Sequence, residues 1–85
     1  MSDHDKLVLF LADLVAGVSD GHVTAAEVLA APASFAALGV TSLAQLRLID
    51  EVETVFDVLI DSPEDAGGLQ SLAECLRRQG VAGPP

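Results

Sequence analysis

The residue with the clearest chemical potential is Ser42, in the stretch Leu-Gly-Val-Thr-Ser-Leu at positions 38–43. Ser42 and Gln45 have the spacing of a capping box, and a serine N-cap stabilises a helix by ~1 kcal/mol. The free backbone N–H groups and the positive dipole at such a position also favour a phosphate ester, by ~0.3–1 kcal/mol where the site is exposed. The two roles are compatible, so Ser42 is interpreted as a helix cap, an attachment point, or both.

The other reactive side chains do not form a recognisable catalytic set. His4 lies near the terminus and His22 in a predicted loop, and neither has a triad or metal-ligand partner at a suggestive spacing. Cys75 falls on the apolar stripe of a predicted helix, which is typical of a small core residue rather than a nucleophile. We therefore expect no catalytic residue, no metal site and no intrinsic enzymatic activity.

The chain is strongly acidic, and its acids cluster on the helix predicted after Ser42. It has 13 Asp and Glu against 4 Lys and Arg, a formal net charge of -9 at pH 7. This balance argues against nucleic acid or an anionic membrane as a partner and favours a protein with a basic patch. The cluster is interpreted as a solvated face rather than a metal or acid–base site, because nothing in the sequence encloses it. Its members are Asp50, Glu51, Glu53 and Asp57.

Length and composition bound the architecture. With 85 residues and 51% hydrophobic residues, the chain can fold into one small domain with a thin core. We predict a single domain over 1–85, ordered over about 3–80, with 81–85 as a frayed tail. The single cysteine excludes an internal disulfide, and Asp13 interrupts an apolar run that is too short to span a membrane. We expect a cytoplasmic monomer.

The elements that position these residues are all predicted to be helices. Two residue pairs have capping-box spacing ahead of apolar residues: Ser2 with Asp5, and Thr24 with Glu27. They predict a first helix over about 3–17 and a short turn of helix over 25–30, which Pro32 ends.

The central helix is predicted over 43–56, after a loop that brings Phe35 and Leu38 to the core. Its apolar arc is predicted to contain Leu46, Leu48, Ile49, Val52, Val55 and Phe56. Leu43 does not fit this arc, because a rotation of 100° per residue places it in the middle of the polar face. An exposed leucine beside Ser42 is typical of a small docking surface.

The last third of the chain predicts two further helices. Ser62-Pro63-Glu64-Asp65 has the cap, proline and acids of a helix start, but Gly67-Gly68 limits that helix to about one turn. Ser71 and Glu74 have capping-box spacing for a last helix, which Gly80 ends. Its apolar stripe is Leu72, Cys75 and Leu76, with Leu69 upstream. The sequence thus predicts an all-α four-helix bundle with a long first loop and a short third helix.

Residues 35–43, together with Leu46, Ile49, Glu53 and Phe56, resemble the signature of acyl and peptidyl carrier proteins. In those carriers Leu-Gly-x-Asp-Ser-Leu opens the second helix, and an apolar periodicity ends in Glu-x-x-Phe. The likeness covers nearly the whole chain in the order and spacing of its helices. It implies a bundle of the acyl carrier protein type in which Ser42 receives 4'-phosphopantetheine from coenzyme A. A separate, magnesium-dependent phosphopantetheinyl transferase would attach this arm.

The resemblance also implies the partners and their docking surface. The thiol of the arm would hold acyl or aminoacyl groups as thioesters and present them to loading, condensing and tailoring enzymes. In such carriers the second helix is the main recognition surface, which here would comprise Leu43, Arg47, Asp50, Glu51 and Thr54.

Two departures from the family pattern affect recognition. Thr41 stands where the family usually has Asp, and Arg47 stands where fatty-acid carriers mostly have an acid. Threonine caps a helix almost as well as aspartate, so the fold should not suffer. Arg47 would repel basic partners adapted to fatty-acid synthesis. These departures suggest a specialised carrier. The richness in alanine and the use of Arg over Lys are typical of a GC-rich genome, in which free-standing carriers of polyketide or nonribosomal peptide pathways are common.

Three alternatives stay open. The cargo could be aminoacyl, as in peptidyl carriers, although Leu-Gly-Val-Thr-Ser lacks their common Gly-Gly-His/Asp-Ser form. The chain could be an unmodified, carrier-like protein interaction module in which Ser42 is only a cap. A small hydrolytic enzyme would depend on His22 or Cys75.

Overall fold

The computed structural model describes residues 1–31 and 34–85, and all regular structure in these residues is helical. Four α-helices are present in this part of the chain: α1 (Asp3–Val18), α2 (Ala25–Ala30), α3 (Ser42–Phe56) and α4 (Leu69–Arg78). Two 3-10 turns, Ala36–Leu38 and Pro63–Ala66, precede α3 and α4. The predicted all-α class and small helical bundle are confirmed. None of the helices described is long and apolar enough to cross a bilayer.

Both predicted capping boxes in the first part of the chain are confirmed. The Asp5 N–H donates to Ser2 Oγ at 3.1 Å, and the Ser2 N–H donates back to an Asp5 carboxylate oxygen at 3.4 Å. Thr24 and Glu27 make the same reciprocal pair, with both distances at 3.1 Å. The predicted stop at Pro32 lies outside the described residues.

The short third helix forms where it was predicted, as a single 3-10 turn over Pro63–Ala66. Ser62 occupies its cap position, but the predicted side-chain cap is wrong, because Ser62 makes no capping hydrogen bond. The N–H that the hydroxyl would cap belongs to Asp65, and it donates to the Ser62 carbonyl at 3.0 Å. Closing the tighter turn therefore removes the free donor that a side-chain cap requires.

The predicted start of α4 is wrong by three residues, because the cap position is Gly68 and not Ser71. The helix begins at Leu69 after Gly68, and Ser71 lies inside it with its hydroxyl donating to the Gly68 carbonyl at 3.1 Å. Burial explains the earlier start, because Leu69 joins the stripe of Leu72 and Leu76 and is 1% exposed.

The predicted end of α4 at Gly80 is confirmed. Gly80 has φ +92, its N–H donates to the Arg77 carbonyl, and the Val81 N–H donates to the Leu76 carbonyl, both at 3.0 Å. This pattern is a Schellman motif, in which glycine takes the left-handed conformation at low cost.

The core lies where α1 packs against each of the other three helices. Its largest fully buried side chains include Phe35, Leu7, Leu11, Leu48, Leu69, Leu72 and Leu76. The rings of Phe10 and Phe56 extend the α1–α3 contact in an edge-to-face pair with centroids 5.7 Å apart.

One predicted core residue of α3 is wrong. Leu46 is 63% exposed, whereas Leu48 and Val52 are fully buried. Residues two positions apart on a helix are rotated by about 200° from each other, so Leu46 and Leu48 cannot share one face. The apolar arc predicted for α3 was therefore too wide, because it included the exposed Leu46.

Candidate functional site

Ser42 is the first residue of α3, and the residue before it caps the helix. Thr41 has an extended backbone, and its Oγ1 accepts a hydrogen bond from the Ala44 N–H at 3.1 Å. The Thr41 carbonyl accepts the first helical bond from the Gln45 N–H at 2.9 Å. The prediction that Ser42 is the cap, paired with Gln45, is therefore wrong: the helix starts one residue earlier than that pairing requires.

The hydroxyl of Ser42 takes no part in capping α3. Ser42 is exposed, and within residues 1–31 and 34–85 no hydrogen bond to its side chain is formed. Its backbone is already helical, so the side chain projects outward from the end of α3. A hydroxyl in this position can be reached by another protein.

Gln45 holds the neighbouring segment in place instead of completing a capping box. Its Nε2 donates to the carbonyls of Ala66, at 3.2 Å, and Pro63, at 3.4 Å. The contacts span 21 and 18 residues of sequence and attach the 3-10 turn Pro63–Ala66 to the first turn of α3. These two hydrogen bonds therefore fix the Pro63–Ala66 turn next to the first turn of α3, which contains Ser42.

The segment before Ser42 is fixed by Phe35 and Gly39. Phe35 is 1% exposed, and its N–H donates to the Gly67 carbonyl at 2.9 Å, so the predicted burial of Phe35 is confirmed. Gly39 has φ +88, a conformation that glycine adopts at low cost, and reverses the chain between the 3-10 turn Ala36–Leu38 and the buried Val40. An ordered turn thus leads directly into Thr41 and Ser42.

Two exposed leucines lie beside Ser42 on α3. Leu43, predicted to be exposed, is 67% exposed, and Leu46, predicted to be buried, is 63% exposed. Residues three apart are neighbours on a helix surface, so the two side chains form one apolar patch, called here the leucine pair. Leu46 was missed as a surface residue, although its rotation relative to Leu48 would have revealed it.

The remaining predicted docking residues share the face of Leu43. Arg47, Asp50, Glu51 and Thr54 are all exposed, and with Leu43 they fall within about 100° of helix rotation. A groove between this face and α1 adds further acidic side chains, and its lining includes Asp13 and Asp20. The structure therefore brings the five predicted residues onto one acidic surface that contains a single cation.

That cation, Arg47, is paired with Asp20 in the turn that follows α1. Its NH1 atom lies 3.3 Å from Asp20 Oδ2, and both side chains are more than half exposed. Exposed ion pairs typically contribute ~0–1 kcal/mol, so this contact orients Arg47 without holding it strongly.

The other reactive side chains, which were not predicted to be catalytic, lie on different elements of the fold. Cys75 is buried at 4% exposure, which confirms its predicted core position, and it accepts a 3.6 Å contact from Gln79 Nε2. His4 and His22 are both exposed, at the start of α1 and in the turn after it.

No protein family model, curated protein or solved structure matches this chain. The features of this chain that bear on its function are therefore the geometry around Ser42 and the surface of α3.

Proposed function

We propose that this chain is a carrier of the acyl carrier protein type, in which Ser42 bears a 4'-phosphopantetheine arm. The observation that carries the proposal is the pair Thr41 and Ser42: the threonine caps α3, and the adjacent serine presents an exposed hydroxyl with no partner among the described residues. A serine retained only as a cap would occupy the position of Thr41.

The residues around Ser42 fit esterification by a separate transferase. The Ser42 oxygen would attack the phosphorus of coenzyme A that bears pantetheine, forming an Oγ–P bond and breaking the diphosphate bond. Adenosine 3',5'-bisphosphate would leave, and the serine proton would pass to a base of the transferase or to water. The ordered turn around Gly39 and the Gln45 contacts support this role, because they present the hydroxyl in a fixed position.

The arm supplies a terminal thiol that holds acyl or aminoacyl groups as thioesters. The chain itself supplies the docking surface: the leucine pair gives an apolar anchor, and Asp50 and Glu51 give acidic groups for a basic partner. The partners under this proposal are the phosphopantetheinyl transferase and the loading, condensing and tailoring enzymes of a polyketide or nonribosomal peptide pathway.

The same docking surface also supports a second candidate, an unmodified protein interaction module. The leucine pair and the acidic face could bind a basic partner without any arm. Modification of Ser42 is the feature that separates the two candidates.

The deciding experiment is intact-mass measurement after incubation with coenzyme A, Mg²⁺ and a transferase of broad specificity. The carrier gains the mass of one phosphopantetheine, and Ser42→Ala abolishes the gain. Ser62→Ala is the matched control, because Ser62 also sits at the start of a helical turn but is followed by Pro63, and it should be modified normally. Failure of several transferases to modify the folded protein would favour the interaction module.

A further inference from the structure

A groove of about 560 Å³ lies between α1 and the acidic face of α3. The two helices run antiparallel, because Phe10 packs on Phe56 at one end of their contact and Asp20 pairs with Arg47 at the other. Each helix therefore supplies one wall of the groove. The α1 wall includes Asp13, Leu14, Gly17 and Val18, and the α3 wall includes Asp50 and Glu51.

The groove has an apolar floor and acidic edges. Leu14 and Val18 are half-buried and lie four residues apart, so they share one face of α1. Asp13 is exposed on the α1 edge, and Asp50 and Glu51 are exposed on the α3 edge. The ion pairs found among the described residues include none of these three carboxylates. The two edges thus present uncompensated negative charge on either side of an apolar strip.

Gly17 is a glycine that the fold of this chain does not require. It lies in the last turn of α1, and its φ is outside the left-handed region that favours glycine. Apart from its own helical turn, a Cβ at this position would meet no atom of the described residues within 4 Å, so packing within the chain does not exclude a larger residue. Glycine is also less favourable than alanine inside a helix. The effect of Gly17 is to leave the backbone of α1 open to close approach from the groove.

We propose that this groove binds a basic amphipathic helix of a partner enzyme. The apolar stripe of that helix packs on Leu14 and Val18, and Lys or Arg on its two flanks face Asp13 on one edge and the carboxylates of α3 on the other. Negative charge on both edges favours such a helix over a flat basic surface, because a narrow stripe with cations on both flanks complements both edges at once. This inference rests on the docking role proposed above for α3, and it adds α1 to the docking surface.

A second copy of this chain does not supply such a helix. The sequence has four Lys and Arg in all, and only Arg77 and Arg78 share a helix. The apolar stripe of that helix, which includes Leu72 and Leu76, is buried in the core. The occupant is therefore a different protein, and the formal net charge of -9 favours one that is basic.

The test is an NMR titration with a synthetic amphipathic helix as the probe. The peptide has about 18 residues, enough to be helical, with one stripe of leucines and with lysines on both flanks. A scrambled peptide of the same composition, which has no stripe, controls for net charge. We expect the amide of Gly17 and the methyl groups of Leu14 and Val18 to shift with the amphipathic peptide and not with the scrambled one.

Matched variants identify the residues responsible. Asp13→Asn and Asp50→Asn should each weaken binding of the amphipathic peptide roughly two- to fivefold, as the loss of one exposed ion pair does. Asp61→Asn should leave binding unchanged, because Asp61 is an exposed acid that does not line the groove. Gly17→Ala should weaken binding about fivefold or more, because the added methyl group overpacks the contact. The same variant should raise the Tm, because alanine is the better helix former.

Three results would overturn this inference: equal shifts with both peptides, equal effects of Asp13→Asn and Asp61→Asn, or unchanged binding by Gly17→Ala. Intact mass after incubation with the transferase tests the carrier function separately. A protein that gains the arm but does not bind the amphipathic peptide in the groove loses only this inference. A protein that binds the peptide there but never gains the arm loses only the carrier function.

Discussion

The hydroxyl of Thr41 accepts a hydrogen bond from the Ala44 N–H at 3.1 Å, and this contact satisfies the helix end that Ser42 would otherwise cap. Two adjacent hydroxyl residues thus have separate roles, one structural and one exposed to solvent. Threonine is an effective N-cap, because its hydroxyl accepts a hydrogen bond from a free N–H group of the first helical turn.

The division of roles predicts unequal effects on stability for two neighbouring substitutions. Thr41→Ala should lower the free energy of unfolding by about 1 kcal/mol, because the Ala44 N–H loses its partner. Ser42→Ala should change it by less than ~0.5 kcal/mol, because an exposed side chain is lost. Urea denaturation followed by circular dichroism measures both. A larger loss for Ser42→Ala than for Thr41→Ala would contradict the assignment of the cap.

The burial pattern of α3 predicts a second contrast, between leucines two residues apart. Leu48→Ala should destabilise the domain by ~2–5 kcal/mol, because it removes a fully buried side chain from the α1–α3 contact. Leu46→Ala should cost less than ~0.5 kcal/mol, because Leu46 is 63% exposed. Thermal and urea denaturation of the two variants provide the measurement, and equal losses would place Leu46 in the core.

The contacts of Gln45 predict a local effect on the loop beside Ser42. Gln45→Ala removes both side-chain bonds to the Pro63–Ala66 turn and should cost about 1 kcal/mol. Hydrogen exchange should accelerate at the Phe35 N–H, which is bonded to the Gly67 carbonyl next to that turn. Gln70→Ala, at an exposed glutamine of α4, is the control. Unchanged exchange at Phe35 would show that Gln45 does not hold the turn.

Local sequence signals predicted most of the helices because their determinants are short-range. The Ser2–Asp5 and Thr24–Glu27 capping boxes each join residues three apart, and the sequence alone locates them. Apolar periodicity likewise identifies the stripe of α4 without tertiary information.

The errors arose where two equivalent local signals compete and packing decides between them. Thr41 and Ser42 are both acceptable caps, and the long-range bonds of Gln45 to Ala66 remove the glutamine that would have favoured Ser42. Leu69 extends α4 past the predicted Ser71 cap because its burial outweighs the loss of that cap. The Arg47–Asp20 contact spans 27 residues and carries no local signal.

The leucine pair predicts how the proposed transferase recognises the chain. Leu43→Ala should lower the kcat/KM of phosphopantetheinyl transfer about tenfold, which corresponds to ~1.4 kcal/mol. The physical reason is that a leucine buried in a partner interface contributes ~1.5–3 kcal/mol, part of which is lost with its methyl groups. The initial rate of adduct formation, followed by intact mass at several protein concentrations, measures the effect.

Leu59→Ala is the matched control for this prediction. Leu59 is 71% exposed, but its backbone is attached by Gln79 and its neighbour Ile60 is bonded to Glu53. Glu53 is eleven residues after Ser42, about 16 Å along the axis of α3, so Leu59 lies away from the reacting hydroxyl. The control should be modified at the wild-type rate. Equal losses for both variants would mean that the transferase responds to exposed apolar surface in general, and the docking role of Leu43 would be rejected.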